Sequence, residues 1–388
     1  YAGLNHYLTK HKYQTAEAHQ LRLAFEEVTG KDLNWFFNQW YFGNGQPKIE
    51  ISYDYNTLNK TVTVNVLQLG DEFQFPLAID IVERDKKTRH QVFVKGRDAS
   101  FTFQYTRIPE VILINADGVL LADFEETKTT KEYISQLINA SYYGHKKEAI
   151  LALANKQDDK KAFIAIANAM SDPFYKVRQL AIEYIDLINK HTKKAVIAKI
   201  IKIAATDKKT LVRAAAIETL GKLTDPELLP IFEKALKSDS FAILGKALVA
   251  TYYIDKNKAI AVSKQLPRGV RKIIATPLTR IFLEEDDDTE LVFIAENVLS
   301  GMFLNGDLRT QALYKRAYDK IANSNNTLAI QNLVNDLVAK GKEYKQFSFD
   351  KTALSLLTQL VETQKASKAQ HKAKHIAIIR TGMTLLVE

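Results

Sequence analysis

The hydrophobic period of this chain changes twice, and each change limits what the segments on either side can become. Up to about residue 46, apolar side chains recur every three or four positions, as on one face of a helix. From Pro47 the period drops to two. In KTVTVNVLQL, Val62, Val64 and Val66 share one face and Thr61, Thr63 and Asn65 the other; Phe73, Phe75, Leu77, Ile79 and Ile81 repeat the pattern in FQFPLAIDIV. After about Glu125 the helical period returns and stays to Glu388. A pattern of one period does not sit still in the other structure. The chain is therefore expected to be multidomain α and β: a helical domain end at 1–46, a small antiparallel β-sandwich at 47–125, and a helical repeat domain at 126–388.

Local signals sharpen these divisions. Thr15 is expected to cap a helix with Glu17 in its first turn; Leu21, Phe25 and Val28 form its apolar stripe, and Gly30 ends it. Asp32 is expected to cap the next, in which Leu33, Phe36, Phe37 and Trp40 fall at i, i+3, i+4 and i+7 and should face a core together. That helix lies in WFFNQWYFGNGQPKIEI, Trp35 to Ile51, where Gly43 and Gly45 stop it and Pro47 opens the first strand. Further strands are expected at HQVFVKG, SFTFQY and VILINADGVLLAD, the last a hairpin about Asp117-Gly118.

The helical part repeats itself. DPFYKVRQLAIEYI from Asp172 and DKKTLVRAAAIETL from Asp207 agree at six of fourteen positions, thirty-five residues apart, and SDSFAILGKALVAT from Ser238 is a weaker third copy. The shared Asp suits a helix start, and Val, Ala and Ile mark a buried face. Units that cannot bury that face alone stack on their neighbours, which predicts an α-solenoid of the HEAT type.

Composition narrows function mostly by exclusion. At 388 residues, two or three domains are expected; the 46% hydrophobic and 26% charged residues are those of a soluble globular chain. With no Cys there is no disulfide framework, zinc ribbon or Cys nucleophile. No apolar run is long enough to cross a bilayer, and YAGLNHYLTK does not read as a signal peptide, so no membrane partner is expected and the compartment is left open between cytoplasm and periplasm. The chain starts at Tyr1, within a helical spacing of Leu4, Tyr7, Leu8 and His11, and is expected to be a piece of something longer. The net charge of +9 is uneven: residues 1–124 carry 13 Lys and Arg against 15 Asp and Glu, and the rest 41 against 30. That excess reads as the solvated faces of Lys-rich helices, with no nucleic-acid partner.

The search for chemistry is negative. HKAKH sets His371 and His375 one turn apart, a zinc spacing, but Lys372 stands where a metalloprotease has Glu, and Lys368 and Lys374 add repulsion. EEDDDTE, Glu284 to Glu290, lacks the glycine and alternation of a calcium loop and reads as an exposed turn. Gly43-Asn44-Gly45 follows a helix, the wrong side for cradling phosphate. His6, His11 and His19 have no triad partner or ligand spacing. Catalytic, cofactor-binding and metal-ligating residues are all assigned as none.

The residues at the joins nevertheless resemble a family. Residues 3–53 carry Gly3-Leu4, Tyr7-Leu8, Thr15-Ala16, Thr29-Gly30, Trp40 and Gly45-Gln46-Pro47 in the order found where aminopeptidase N-type zinc aminopeptidases end their catalytic domain; LQLGDEFQFPLAIDIV and LINADGVLLADF look like the family's sandwich. The resemblance implies the helical end of a thermolysin-like catalytic domain, a β-sandwich, and a HEAT-like α-α superhelical domain covering the active-site cavity. The family's zinc and catalytic motifs, H-E-x-x-H, a later Glu and G-x-M-E-N, do not occur here, so none of its catalytic residues can be carried over. The expectation is a non-catalytic fragment, inactive alone and without cofactor. Zinc, peptide substrate and its own missing N-terminal catalytic domain would belong to the full-length parent. The alternative is a stand-alone HEAT-type scaffold for protein–protein binding.

Overall fold

The computed structural model describes residues 1–84, 86–192, 194–285, 288–303 and 307–387. By contact the chain falls into two compact units, residues 1–191 and 192–388.

The first unit opens with α1 (Ala2–Lys10), α2 (Ala18–Thr29) and α3 (Asn34–Trp40). The N-cap of α2 is Glu17, not Thr15: Glu17 and Gln20 bond each other's backbone reciprocally, a box that Thr15 stands too early to make. Gly30 ends α2 in the left-handed region, φ 67°, as its glycine predicts. Asp32 accepts from the Asn34 N–H at 2.8 Å ahead of α3. In α3 the expected common face splits. Phe37 is buried and Trp40 stacks against Phe73 with centroids 5.3 Å apart, but Phe36 is 43% exposed. Adjacent residues on a helix point about 100° apart, and two turns resting on a flat sheet cannot bury both. Gln39 was not anticipated: its side chain donates to the Gln74 carbonyl at 2.9 Å and accepts from the Gln74 N–H at 2.7 Å, fastening α3 to the sandwich.

The sandwich has seven strands: β1 (Lys48–Asn56), β2 (Thr61–Gln68), β3 (Phe75–Glu83), β4 (Lys86–Val94), β5 (Asp98–Gln104), β6 (Val111–Ile114) and β7 (Asp123–Glu125). One sheet runs β5-β2-β1-β7, the other β4-β3-β6. Ile49, Ile51, Val62, Val64 and Val66 of the first meet Phe75, Leu77, Ile79, Ile81, Ile112 and Ile114 of the second. Each such side chain fully buried contributes about 1.5–3 kcal/mol. β2 alternates as its period of two requires, but β3 is buried on both faces. Its far side, Ala78 and Val82, forms a small second core with Val111, Leu113 and Ala140. Asp80 on that side is held by Arg89, its cross-strand neighbour on β4.

The hairpin expected at Asp117-Gly118 does not form. Asn115, at φ 54°, accepts from the Leu120 N–H at 3.1 Å and donates from Nδ2 to the Leu120 carbonyl at 2.9 Å. This side chain takes over the bonds a returning strand would make. The chain then crosses to the other sheet, where β7 pairs with β1 in parallel, Ile49 opposite Phe124.

Four helices complete the unit: α4 (Thr130–Asn139), α5 (Tyr143–Ala154), α6 (Lys160–Ala169) and α7 (Tyr175–Tyr184). The second unit is helical throughout: α8 (Lys194–Thr206), α9 (Thr210–Gly221), α10 (Leu229–Ala235), α11 (Phe241–Tyr252), α12 (Lys256–Gln265), α13 (Arg268–Ile273), α14 (Ala275–Glu284), α15 (Leu291–Ala295), α16 (Val298–Phe303), α17 (Leu308–Asn323), α18 (Thr327–Glu343), α19 (Phe349–Ala366) and α20 (Lys372–Val387). The three sequence copies are α7, α9 and α11 with the turns before them. Val177, Val212 and Ile243 are buried at equivalent positions, as are Ala181, Ala216 and Ala247, and Ile182, Ile217 and Leu248. The shared Asp stands two residues before the N-cap. Asp172 accepts from Phe174 N–H at 2.8 Å, Asp207 from Lys209 N–H at 2.9 Å, and Ser238 from Ser240 N–H at 3.2 Å, so all three turns are built alike.

Candidate functional site

The residues weighed for chemistry are structural where the structure describes them. His375 is fully buried, with Nδ1 2.9 Å from Gln364 Oε1 and Nε2 2.9 Å from Thr327 Oγ1. His371 precedes α20 and is exposed. His6 and Lys10 both engage Glu27 at 2.6 Å, Lys10 foremost in holding that carboxyl below its usual range, and His19 lies 3.4 Å from Glu17. In EEDDDTE, Glu284 pairs with Arg316 at 3.4 Å, Glu285 accepts from the Tyr252 hydroxyl at 2.5 Å and from Lys256 at 2.7 Å, and Glu290 pairs with Arg271. Asp286 and Asp287 lie outside the described residues. Among the described residues no group of three or more His, Asp or Glu is placed to hold a metal ion, and no helix is long and apolar enough to cross a membrane.

A buried titratable cluster in the first unit joins β1 to the segment before α4. The Tyr53 hydroxyl donates to Glu126 Oε1 at 2.5 Å and Lys128 donates to Oε2, with Glu148 4.0 Å from Lys128. Burial pushes Glu126 up and Tyr53 well up. Each member is satisfied by another, which suits a pin better than a site open to ligand.

Two hollows have room for a ligand side chain. One, of about 820 Å³ in the first unit, is lined by α4 and α6, with Ile134, Ile138 and Ile164 on its apolar side. Its buried charges, Lys146 and Asp172, neutralise each other at 2.5 Å. The other, of about 620 Å³, lies on the face of the second unit made by α9, α11 and α14. Its floor is small residues. A Cβ on Gly221 would fall 2.7 Å from Ala250 Cβ, and one on Gly245 2.7 Å from Pro277 Cγ, so the helices approach closely there. Phe241, Tyr253 and Ile273 stand around it, 42%, 50% and 61% exposed. Tyr253 and Arg280 also line an adjoining hollow of about 320 Å³ with Glu284, Arg309 and Arg316. Sequence reasoning missed this groove, because its members lie on separate helices and no short spacing links them.

A family model for HEAT repeats matches residues 164–251, which take in all three sequence copies. No curated protein matches the chain. Among solved structures the chain is similar to an aminopeptidase. That structure, Legionella pneumophila aminopeptidase A in complex with aspartic acid, matches with a TM-score of 0.57 at 13% identity, over 99% of this chain and 52% of the other. The likeness is one of fold, and this chain spans about half the length of that one.

Proposed function

We propose that this chain is the non-catalytic C-terminal part of a zinc-dependent aminopeptidase that removes N-terminal residues from peptides. In this reading residues 1–46 end a thermolysin-like catalytic domain, residues 47–125 are the sandwich spacer, and residues 126–388 are the helical domain that covers the active-site cavity. The zinc, and the residues that hold it and drive hydrolysis, belong to the rest of the polypeptide. The observation that carries the reading is the extent of the likeness: almost the whole chain follows one half of an aminopeptidase, through the seam at Pro47 and into the helical repeats. Supporting it is the exposed apolar surface of α1–α3, where Leu4, Leu8, Leu23, Val28 and Phe42 are each more than 40% exposed. That is the kind of surface the remainder of a domain buries.

The HEAT match favours a second reading, a scaffold that binds protein through its helical repeats. Metal content and hydrolysis separate the two. Residues 1–388 alone should retain no stoichiometric zinc after dialysis and should not cleave aminoacyl-anilides, whereas the longer natural polypeptide should do both. Hydrolysis by residues 1–388 alone contradicts the proposal, and a zinc-free, inactive natural polypeptide favours the scaffold.

A further inference from the structure

The groove on α9, α11, α14 and α17 has two unlike halves that meet at Arg280. On one side is the apolar hollow ringed by Phe241, Tyr253 and Ile273; on the other is the hollow holding Arg309, Arg316 and Glu284. Exposed aromatic and aliphatic side chains gathered round one concavity mark a surface built to be covered. Charge says what covers it. Along the two hollows five cations, Lys222, Lys246, Arg280, Arg309 and Arg316, face two carboxylates. Both carboxylates are engaged, Glu218 by Lys246 at 2.7 Å and Glu284 by Arg316 at 3.4 Å. Arg280 is half-buried and, among the described residues, has no hydrogen-bond or ion-pair partner. Burial of a guanidinium without a counter-charge is costly, and a planar fork of donors is matched best by a carboxylate.

We propose that this groove binds the C-terminal residue of a peptide, its side chain in the apolar hollow and its α-carboxylate on Arg280. The inference rests on the aminopeptidase reading, since it assigns the groove to the same peptide substrate. One terminal residue carries an apolar side chain and a carboxylate on a single Cα, which fits a hollow and a guanidinium that share a wall. An internal Asp needs a second residue to fill the hollow and so more torsions to freeze.

Fluorescence anisotropy on residues 1–388 tests this with three short N-terminally labelled peptides: one ending in a free Phe carboxylate, the same peptide amidated, and an amidated peptide with an internal Asp. The free carboxylate should bind at least about tenfold more tightly than either amide. Arg280→Gln should abolish that discrimination while leaving the amidated peptide's affinity unchanged, and Ile273→Ser, at an exposed position, should weaken all three. Equal binding of carboxylate and amide, equal binding of the internal-Asp peptide, or discrimination surviving Arg280→Gln overturns the proposal. The assay reads binding alone, so its failure leaves the chelator-sensitive hydrolysis expected of the natural polypeptide standing, and the converse also holds.

Discussion

The two nitrogens of His375 do different things. Gln364 donates from Nε2 to the Ala322 carbonyl at 2.6 Å, so its Oε1 faces the ring and must accept from Nδ1–H; Nε2 then accepts from the Thr327 hydroxyl. This fixes a neutral tautomer. Burial first, then the neighbouring His371 and Lys374, lowers the pKa of His375. Burial likewise lowers His145, whose Nε2 lies 2.9 Å from the Ile114 carbonyl. A His held neutral in the fold stabilises it fully above the unfolded-state pKa of about 6.5 and loses that contribution as pH falls through the lower folded value. Urea midpoints should therefore drop below about pH 6.5, and the gap between the natural chain and His375→Gln should narrow there. A gap that does not change between about pH 7 and pH 5 contradicts the assignment. The zinc spacing of His371 and His375 was legible in sequence. What was not legible is that α20 begins at Lys372, leaving one ring outside the helix and the other in the core.

At the level of the element, hydrophobic period was a good guide where one face of a segment meets a core and a poor one where both do. β2 alternates as read, whereas β3 has a second buried face supplied by residues that follow much later, near Ala140. The repeats were legible because burial at Val177, Val212 and Ile243 imposes the same residue type at the same spacing. The Asp117-Gly118 signal misled because local turn chemistry does not say which sheet the next strand joins. Gly118 is needed for another reason. It sits at φ 68°, and a Cβ there would lie 2.5 Å from the Tyr142 ring. Gly118→Ala should cost about 1–3 kcal/mol through strain and clash together. A denaturation midpoint equal to that of the natural chain would show that the turn relaxes freely.

For the whole molecule, the groove and the apolar surface of α1–α3 are properties of the folded chain that no short motif announces. The α1–α3 surface was anticipated in outline, from helical stripes with too little in the chain to bury them; Arg280 was not, because its lack of a partner is a tertiary fact. If α1–α3 normally rest against the remainder of a catalytic domain, residues 1–388 alone should self-associate, and Leu4→Ser with Leu8→Ser should shift sedimentation toward monomer with little loss of stability, both side chains being exposed. Unchanged association would remove that support. The most direct test of the account is the rate at which the natural polypeptide containing this chain releases N-terminal residues from aminoacyl-anilides, with and without a zinc chelator. The account predicts hydrolysis that the chelator abolishes and that residues 1–388 alone do not perform; an inactive zinc-treated polypeptide, or hydrolysis by residues 1–388 alone, would contradict it.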